Sequence, residues 1–179
     1  MNIDSRSGLL DVARQVPSPN CDARPAGIDI DLLVIHNISL PPGCFGGNGI
    51  DCFFTNTLDV EAHPYYAEIA DMQVSAHLLL RRDGSIIQYV PFSQRAWHAG
   101  RSCFQGRERC NDYSIGIELE GTDEQAYEDI QYRILQQLIA LLCQTYPGIR
   151  QDRIVGHSDI AAGRKTDPGP AFDWSKIRA

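Results

Sequence analysis

The first run of four apolar residues in the chain is Leu32-Leu33-Val34-Ile35, and it ends on His36. A strand that is apolar on both faces belongs in the middle of a sheet covered on both sides. Its end is where open sheets place their ligands. A second strand is predicted over Ser114–Gly121, where the pattern alternates. Ile115, Ile117 and Leu119 share one face, and Gly116, Glu118 and Glu120 share the other. Glu120 sits at the strand end, whereas Glu118 lies further inside and is costly to bury without a partner. Ser75–Leu80 and Ser85–Val90 read as a hairpin around the Asp83-Gly84 turn, and Pro91 ends it.

The longest helix is predicted to start at Thr122, with Gln125 completing a capping box. Tyr127, Ile130, Ile134, Leu138 and Leu141 recur at helical spacing, and Leu135, Ile139 and Leu142 widen the stripe. Pro147-Gly148 closes it. Arg153–Gly156 is a short strand that delivers His157. Residues 1–30 read as an irregular arm, and 37–52 as a long loop of the kind that lines a site. Short helices are expected near Phe53–Leu58 and Tyr65–Met72, a polar loop over 94–112, and a terminal helical turn at Phe172–Ile177.

With 179 residues, 43% hydrophobic and 22% charged, the chain suits one domain with a real core. No apolar run approaches the roughly 18 residues of a membrane span. The start, Met1-Asn2-Ile3-Asp4-Ser5-Arg6, lacks the order of a secretory signal. The expected location is therefore the cytoplasm, and the six cysteines, none in a Cys-x-x-Cys pair, are expected to be thiols. A net charge of −7 argues against nucleic acid as a partner. Arg81–Arg109 nevertheless carries six arginines against Asp83 and Glu108, a local excess of +4. It reads either as a solvated surface or as a field that draws an anionic small substrate.

Titratable groups are densest in Gly156-His157-Ser158-Asp159-Ile160 and Arg164-Lys165-Thr166-Asp167-Pro168-Gly169-Pro170. The prolines stiffen the second stretch. The hypothesis is that His36, His157 and Asp167 close on one metal ion. Two imidazoles and a carboxylate form a ligand set of catalytic zinc, with one position left for water; closed structural sites usually use Cys. Zinc brings the pKa of its water to roughly 7, and amide hydrolysis also needs a base, for which Glu118 is the candidate. Lys165 is either a second positive charge for an oxyanion or a surface lysine. His63 precedes Pro64 and is expected to be exposed. His77 and His98 remain open as ligands, substrate contacts or packing residues.

These blocks resemble the zinc-dependent N-acetylmuramoyl-L-alanine amidases, and within them the cytoplasmic AmpD type of cell-wall recycling. The similarity runs through Val34–Pro42, Val74–His77, Arg95–Gly100, Gly106–Asp112, Ile115–Gly121 and Arg164–Pro170. It implies an α/β (α+β) fold, a central mixed β-sheet flanked by helices, shared with peptidoglycan-recognition proteins. It assigns one Zn2+ to His36, His157 and Asp167, acid–base work to Glu118 and transition-state stabilisation to Lys165. Asn37, His77 and Arg109 fall where the family contacts substrate. The implied reaction cuts the amide between N-acetylmuramic acid, preferably the 1,6-anhydro form, and L-alanine. The Arg-rich stretch would then meet the stem peptide's carboxylates. The partner is this small anhydromuropeptide, with no nucleic acid or membrane, and the protein is expected to be a monomer. The alternatives are an amidase acting on intact peptidoglycan and a module that binds peptidoglycan without cutting it.

Overall fold

The computed structural model describes residues 1–178. Its strands are β1 (Arg14–Gln15), β2 (Cys21–Ala23), β3 (Leu32–Ile38), β4 (Leu78–Leu80), β5 (Ile86–Gln88), β6 (Gln94–Ala96), β7 (Cys103–Phe104), β8 (Arg107–Glu108), β9 (Ser114–Glu120) and β10 (Ile154–Gly156). Its α-helices are α1 (Gly49–Phe54), α2 (Pro64–Ile69), α3 (Asp129–Thr145) and α4 (His157–Ile160). The main sheet runs β1-β5-β4-β9-β3-β10. β4 and β5 pair antiparallel and every other neighbour is parallel. The fold is thus a mixed central sheet with flanking helices, as expected.

β3 and β9 form the middle of this sheet, paired in register over seven residues from Leu32↔Ser114 to Ile38↔Glu120. Their apolar positions split between two cores. Leu33, Ile35, Ile115, Ile117 and Leu119 join Leu135, Leu138, Ile139 and Leu142 of α3. Leu32 and Val34 face the other way, against Tyr113, Val155 and Ile160. His36, Gly116 and Glu118 lie in the rows of this second face, away from α3, because side chains alternate along a strand.

Three expectations are corrected. α3 begins at Asp129, not near Thr122, and its capping box is Glu128 with Gln131. The Gln131 side chain accepts from the Glu128 N–H (3.0 Å) and donates to the ends of β4 and β9, at Leu80 O (3.2 Å) and Glu120 O (3.1 Å). Those bonds hold the helix start against the sheet, whereas Thr122 accepts only from the Gln125 N–H in a turn. The buried stripe is accordingly Gln131, Tyr132, Leu135, Leu138, Ile139 and Leu142. Ile130 and Ile134 cover the Gly84 turn, where an added Cβ would lie 2.7 Å from Ile130 Cγ1. The N-terminal arm is not wholly irregular, since β1 extends the sheet and β2 pairs with β6. The long loop is also shorter than expected, because β3 continues to Ile38 and α1 starts at Gly49. All six cysteines are free.

Glu120 is buried rather than merely terminal. It accepts from the Gly46 N–H (2.7 Å), the Arg82 N–H (3.3 Å) and Arg81 Nη1 (3.2 Å), and so ties the loop after β3 to the hairpin. Removing one member of a buried pair costs about 3–5 kcal/mol, whereas replacing both by apolar groups costs far less. Arg81→Leu is therefore expected to lower unfolding free energy by about 3 kcal/mol in urea titrations, and Arg81→Leu with Glu120→Leu to recover part of it. A loss below about 1 kcal/mol in the single variant would contradict this role.

Candidate active site and metal centre

β10 lies beside β3 with Gly156 opposite Ile35, so the next residue of each strand, His157 and His36, emerge side by side. The chain then turns through α4 and returns, and the Ser158 N–H donates to Asp167 O (3.0 Å). Gly156 permits this return, since a Cβ there would lie 2.8 Å from Pro168 Cδ. His36 Nδ1, His157 Nδ1 and Asp167 Oδ2 consequently sit 3.0 Å from one another on all three edges. Two buried nitrogens and a carboxylate oxygen at that spacing repel unless a cation or a shared proton lies among them. Tetrahedral zinc, with bonds of about 2.0–2.1 Å, asks for ligand atoms about 3.3 Å apart. The donor set therefore fits zinc with a few tenths of an ångström of adjustment.

The remaining ring nitrogens are committed as metal-binding histidines require. With Nδ1 directed at a cation, His36 Nε2–H donates to His98 Nδ1 (2.9 Å). His98 Nε2 then meets Ser114 Oγ (3.0 Å), and His157 Nε2–H donates to Ala99 O (3.2 Å). Burial pushes the His36 imidazole down to about 4, with Asp167 opposing, so it is neutral at pH 7. Burial raises the Asp167 carboxyl, but the His157 and His36 rings beside it outweigh that and hold it well below the usual range.

Glu118 stands opposite His36 in the β3–β9 register. It is 8% exposed, and its Oε2 is buried without a hydrogen-bond partner. Burial, reinforced by the Asp167 charge and opposed by Lys165, pushes its carboxyl well above the usual range. The triad, Glu118 and Lys165 all line one cavity of about 410 Å3. Leu40, Phe53, Phe54, Tyr65, Ile69 and Val74 add an apolar wall. Such a cavity can hold an amphiphilic small molecule with its polar group at the triad.

Asn37 lines the same cavity, and its Nδ2 donates to Asp123 Oδ1 (2.7 Å) and Pro168 O (3.1 Å). His77 and Arg109 are not brought there. His77 is fully buried beside β9, next to the His98 ring, where Nδ1 accepts from the Gly116 N–H (3.0 Å) and Nε2 lies 3.1 Å from Gln94 O and 3.0 Å from Arg24 Nη2. Arg109 is exposed, pairs with Asp112 (3.2 Å) and lines a separate groove with Arg101 and Arg164. Most of the Arg-rich stretch is consumed structurally: Arg81 by Glu120, Arg82 by Glu128, Arg95 by Asp22 and Asp112, and Arg107 by Asp31. His63 caps α2, accepting from the Tyr65 N–H (3.2 Å). Sequence reasoning left the role of His98 open, because its position depends on Gly116, where a Cβ would fall 2.5 Å from the His98 ring.

The mixed sheet, the His-His-Asp cluster that could hold a metal ion and the buried Glu118 carboxylate beside it are the parts of a candidate hydrolase site. A family model described as N-acetylmuramoyl-L-alanine amidase matches residues 26–170, and the chain belongs to that family. Within it the chain is of the AmpD type. It is 62% identical over 172 residues to the 1,6-anhydro-N-acetylmuramyl-L-alanine amidase AmpD of Salmonella typhimurium, covering 96% of this chain and 91% of that one. A crystal structure of a Se-Met AmpD derivative superposes with a TM-score of 0.96 at 59% identity, covering 99% and 98% of the two chains. The amidase AmiD from E. coli, in complex with the substrate anhydro-N-acetylmuramic acid-L-Ala-D-gamma-Glu-L-Lys, gives a TM-score of 0.61 at 32% identity, over 86% and 59%.

The buried histidines make the metal-free protein acid-sensitive. Burial lowers His36, His77 and His98, so below about pH 6.5 the unfolded chain takes up three protons that the folded chain refuses. Glu118 acts oppositely, since its raised carboxyl binds one proton in the folded state first. Three histidines outnumber one carboxyl, so chelator-treated protein should lose stability as the pH falls below about 6.5. Asp167, with its depressed carboxyl, adds nothing in that window. Thermal unfolding between pH 7.5 and 5.5 checks this, and a flat midpoint would contradict it.

Proposed function

We propose that this chain is a zinc-dependent amidase that hydrolyses the bond between N-acetylmuramic acid, preferably in its 1,6-anhydro form, and L-alanine of the stem peptide. It does so in the cytoplasm during peptidoglycan recycling, as a monomer whose residues 1–179 act as one zinc amidase domain. No helix among the described residues is long and apolar enough to cross a membrane. The observation that carries the reading is the unpartnered, buried Glu118 carboxylate, set in register with His36 beside a three-donor triangle. The name of the Salmonella relative and the ligand held by AmiD support the substrate class.

His36, His157 and Asp167 would hold the zinc. Bound there, zinc supplies Lewis acidity, polarising a carbonyl and acidifying a water to a pKa of roughly 7. Glu118 takes the proton of the attacking water as the new C–O bond forms. It then returns that proton to the alanine nitrogen as the C–N bond breaks, leaving a lactyl carboxylate and a free amine. A carboxyl pushed up by burial suits both transfers, because it holds a proton until the leaving group needs it. Lys165, lining the same cavity, steadies the developing oxyanion. Asn37 orients the peptide side, and the apolar wall holds the sugar ring and excludes water.

Glu118→Gln should retain zinc in elemental analysis and lose on the order of 10²-fold or more in kcat, measured by mass spectrometry of anhydromuropeptide cleavage. An unaltered rate would remove Glu118 from the mechanism. Lys165→Met should cost about 10²–10³-fold in kcat with little change in zinc content. Equal rates on anhydro and ordinary muropeptides would overturn the proposed preference.

A further inference from the structure

The two imidazoles of the triangle are oriented by one dipeptide. His98 receives the outer N–H of His36 (2.9 Å), and the neighbouring carbonyl, Ala99 O, receives the outer N–H of His157 (3.2 Å). Neither strand that carries the candidate ligands supplies these bonds; both come from the turn after β6. The turn is tied to Ser75 at Trp97 (3.1 and 3.2 Å) and leaves through Gly100 at φ +56°, and between them lies the His98–Ala99 dipeptide. What fixes it is Asn111, thirteen residues further on. Its Oδ1 accepts from both the His98 N–H (3.2 Å) and the Ala99 N–H (2.8 Å). Two peptide donors on one atom identify that atom as the amide oxygen. Arg164 adds a clasp from the other side, with Nη2 donating to Ala99 O (2.8 Å) and Arg101 O (2.7 Å). Asn111 is itself held in place through its backbone, because Asn111 O accepts from Arg24 Nη1 (3.2 Å).

We propose that Asn111 is a positioning residue for the metal centre: through the paired His98 and Ala99 N–H groups it sets the bonds that orient both histidine ligands. The inference rests on the zinc reading above. Its distinguishing feature is the acceptor oxygen, not the bulk of the side chain. An isosteric side chain without that oxygen leaves two peptide N–H groups unpaired, and the His98 ring and Ala99 carbonyl lose their fixed direction. Outer partners of metal ligands govern affinity by about 10–100-fold.

Zinc affinity of the purified full chain, measured by competition with a chromophoric chelator, tests this. Asn111→Leu should weaken zinc binding about 10–100-fold, and Asn111→Asp, which keeps an oxygen at the same place, should stay within about threefold of wild type by the same reasoning. Cobalt(II) substituted for zinc should give an altered visible spectrum in Asn111→Leu and a native one in Asn111→Asp. Wild-type affinity and spectrum in Asn111→Leu would overturn the proposal, as would equal weakening in both variants. Should Asn111→Leu fail to fold, Asn111→Ala, which also lacks the oxygen, carries the same expectation and the same refutation. If wild type and His36→Ala bind zinc equally, the zinc reading fails instead, and the two failures are told apart.

Discussion

Lone pairs on three atoms 3.0 Å apart are a standing electrostatic cost, and the rest of this molecule is arranged to keep them there. Parallel pairing of β3 with β10 delivers two imidazoles side by side. The return of the chain after α4, fastened by the Ser158–Asp167 backbone bond, brings the carboxylate. In-register pairing of β3 with β9 then places Glu118 against the same volume. None of these elements makes the cluster alone. A positive charge at its centre would convert mutual repulsion into the attraction that closes it.

Polar groups this deep must be satisfied, and the surroundings answer that demand unevenly. His36, His77, His98 and His157 each find partners for their ring nitrogens, and burial favours the neutral form of His36, His77 and His98. Glu118 is the exception, with a buried oxygen that nothing in the protein meets. An unmet carboxylate costs stability, and such exceptions concentrate where chemistry requires them. The β9 face shows how the room was made. Gly116 leaves space for the His98 ring, while Glu118 and Glu120 on the same row serve the cavity and the loop after β3 respectively.

Much of this is legible in the sequence. Apolar and alternating runs marked β3 and β9 because both strands are buried along their length, and burial writes itself into composition. His36, His157 and Asp167 stood out because two lie at strand ends and one lies in a proline-stiffened loop. What escaped was whatever depends on contacts distant in sequence. The start of α3 follows from Gln131 reaching Leu80 and Glu120, which no local window contains. His77, expected at the substrate, is held beside the His98 ring and outside the cavity lining by Gly116, Gln94 and Arg24. The Arg-rich stretch invited a single purpose, yet its side chains scatter to separate acidic partners. Asn111 carried no signal, since its task is set by two peptide groups in a remote turn.

Zinc K-edge X-ray absorption on the purified protein reads the occupant of the triangle and its neighbours. The expected spectrum is one zinc per chain in a shell of nitrogen and oxygen at about 2.0–2.1 Å, with the multiple-scattering signature of two imidazoles and no sulfur. A shell containing sulfur at about 2.3 Å, or zinc that stays bound with the same spectrum after His36→Ala, would contradict it.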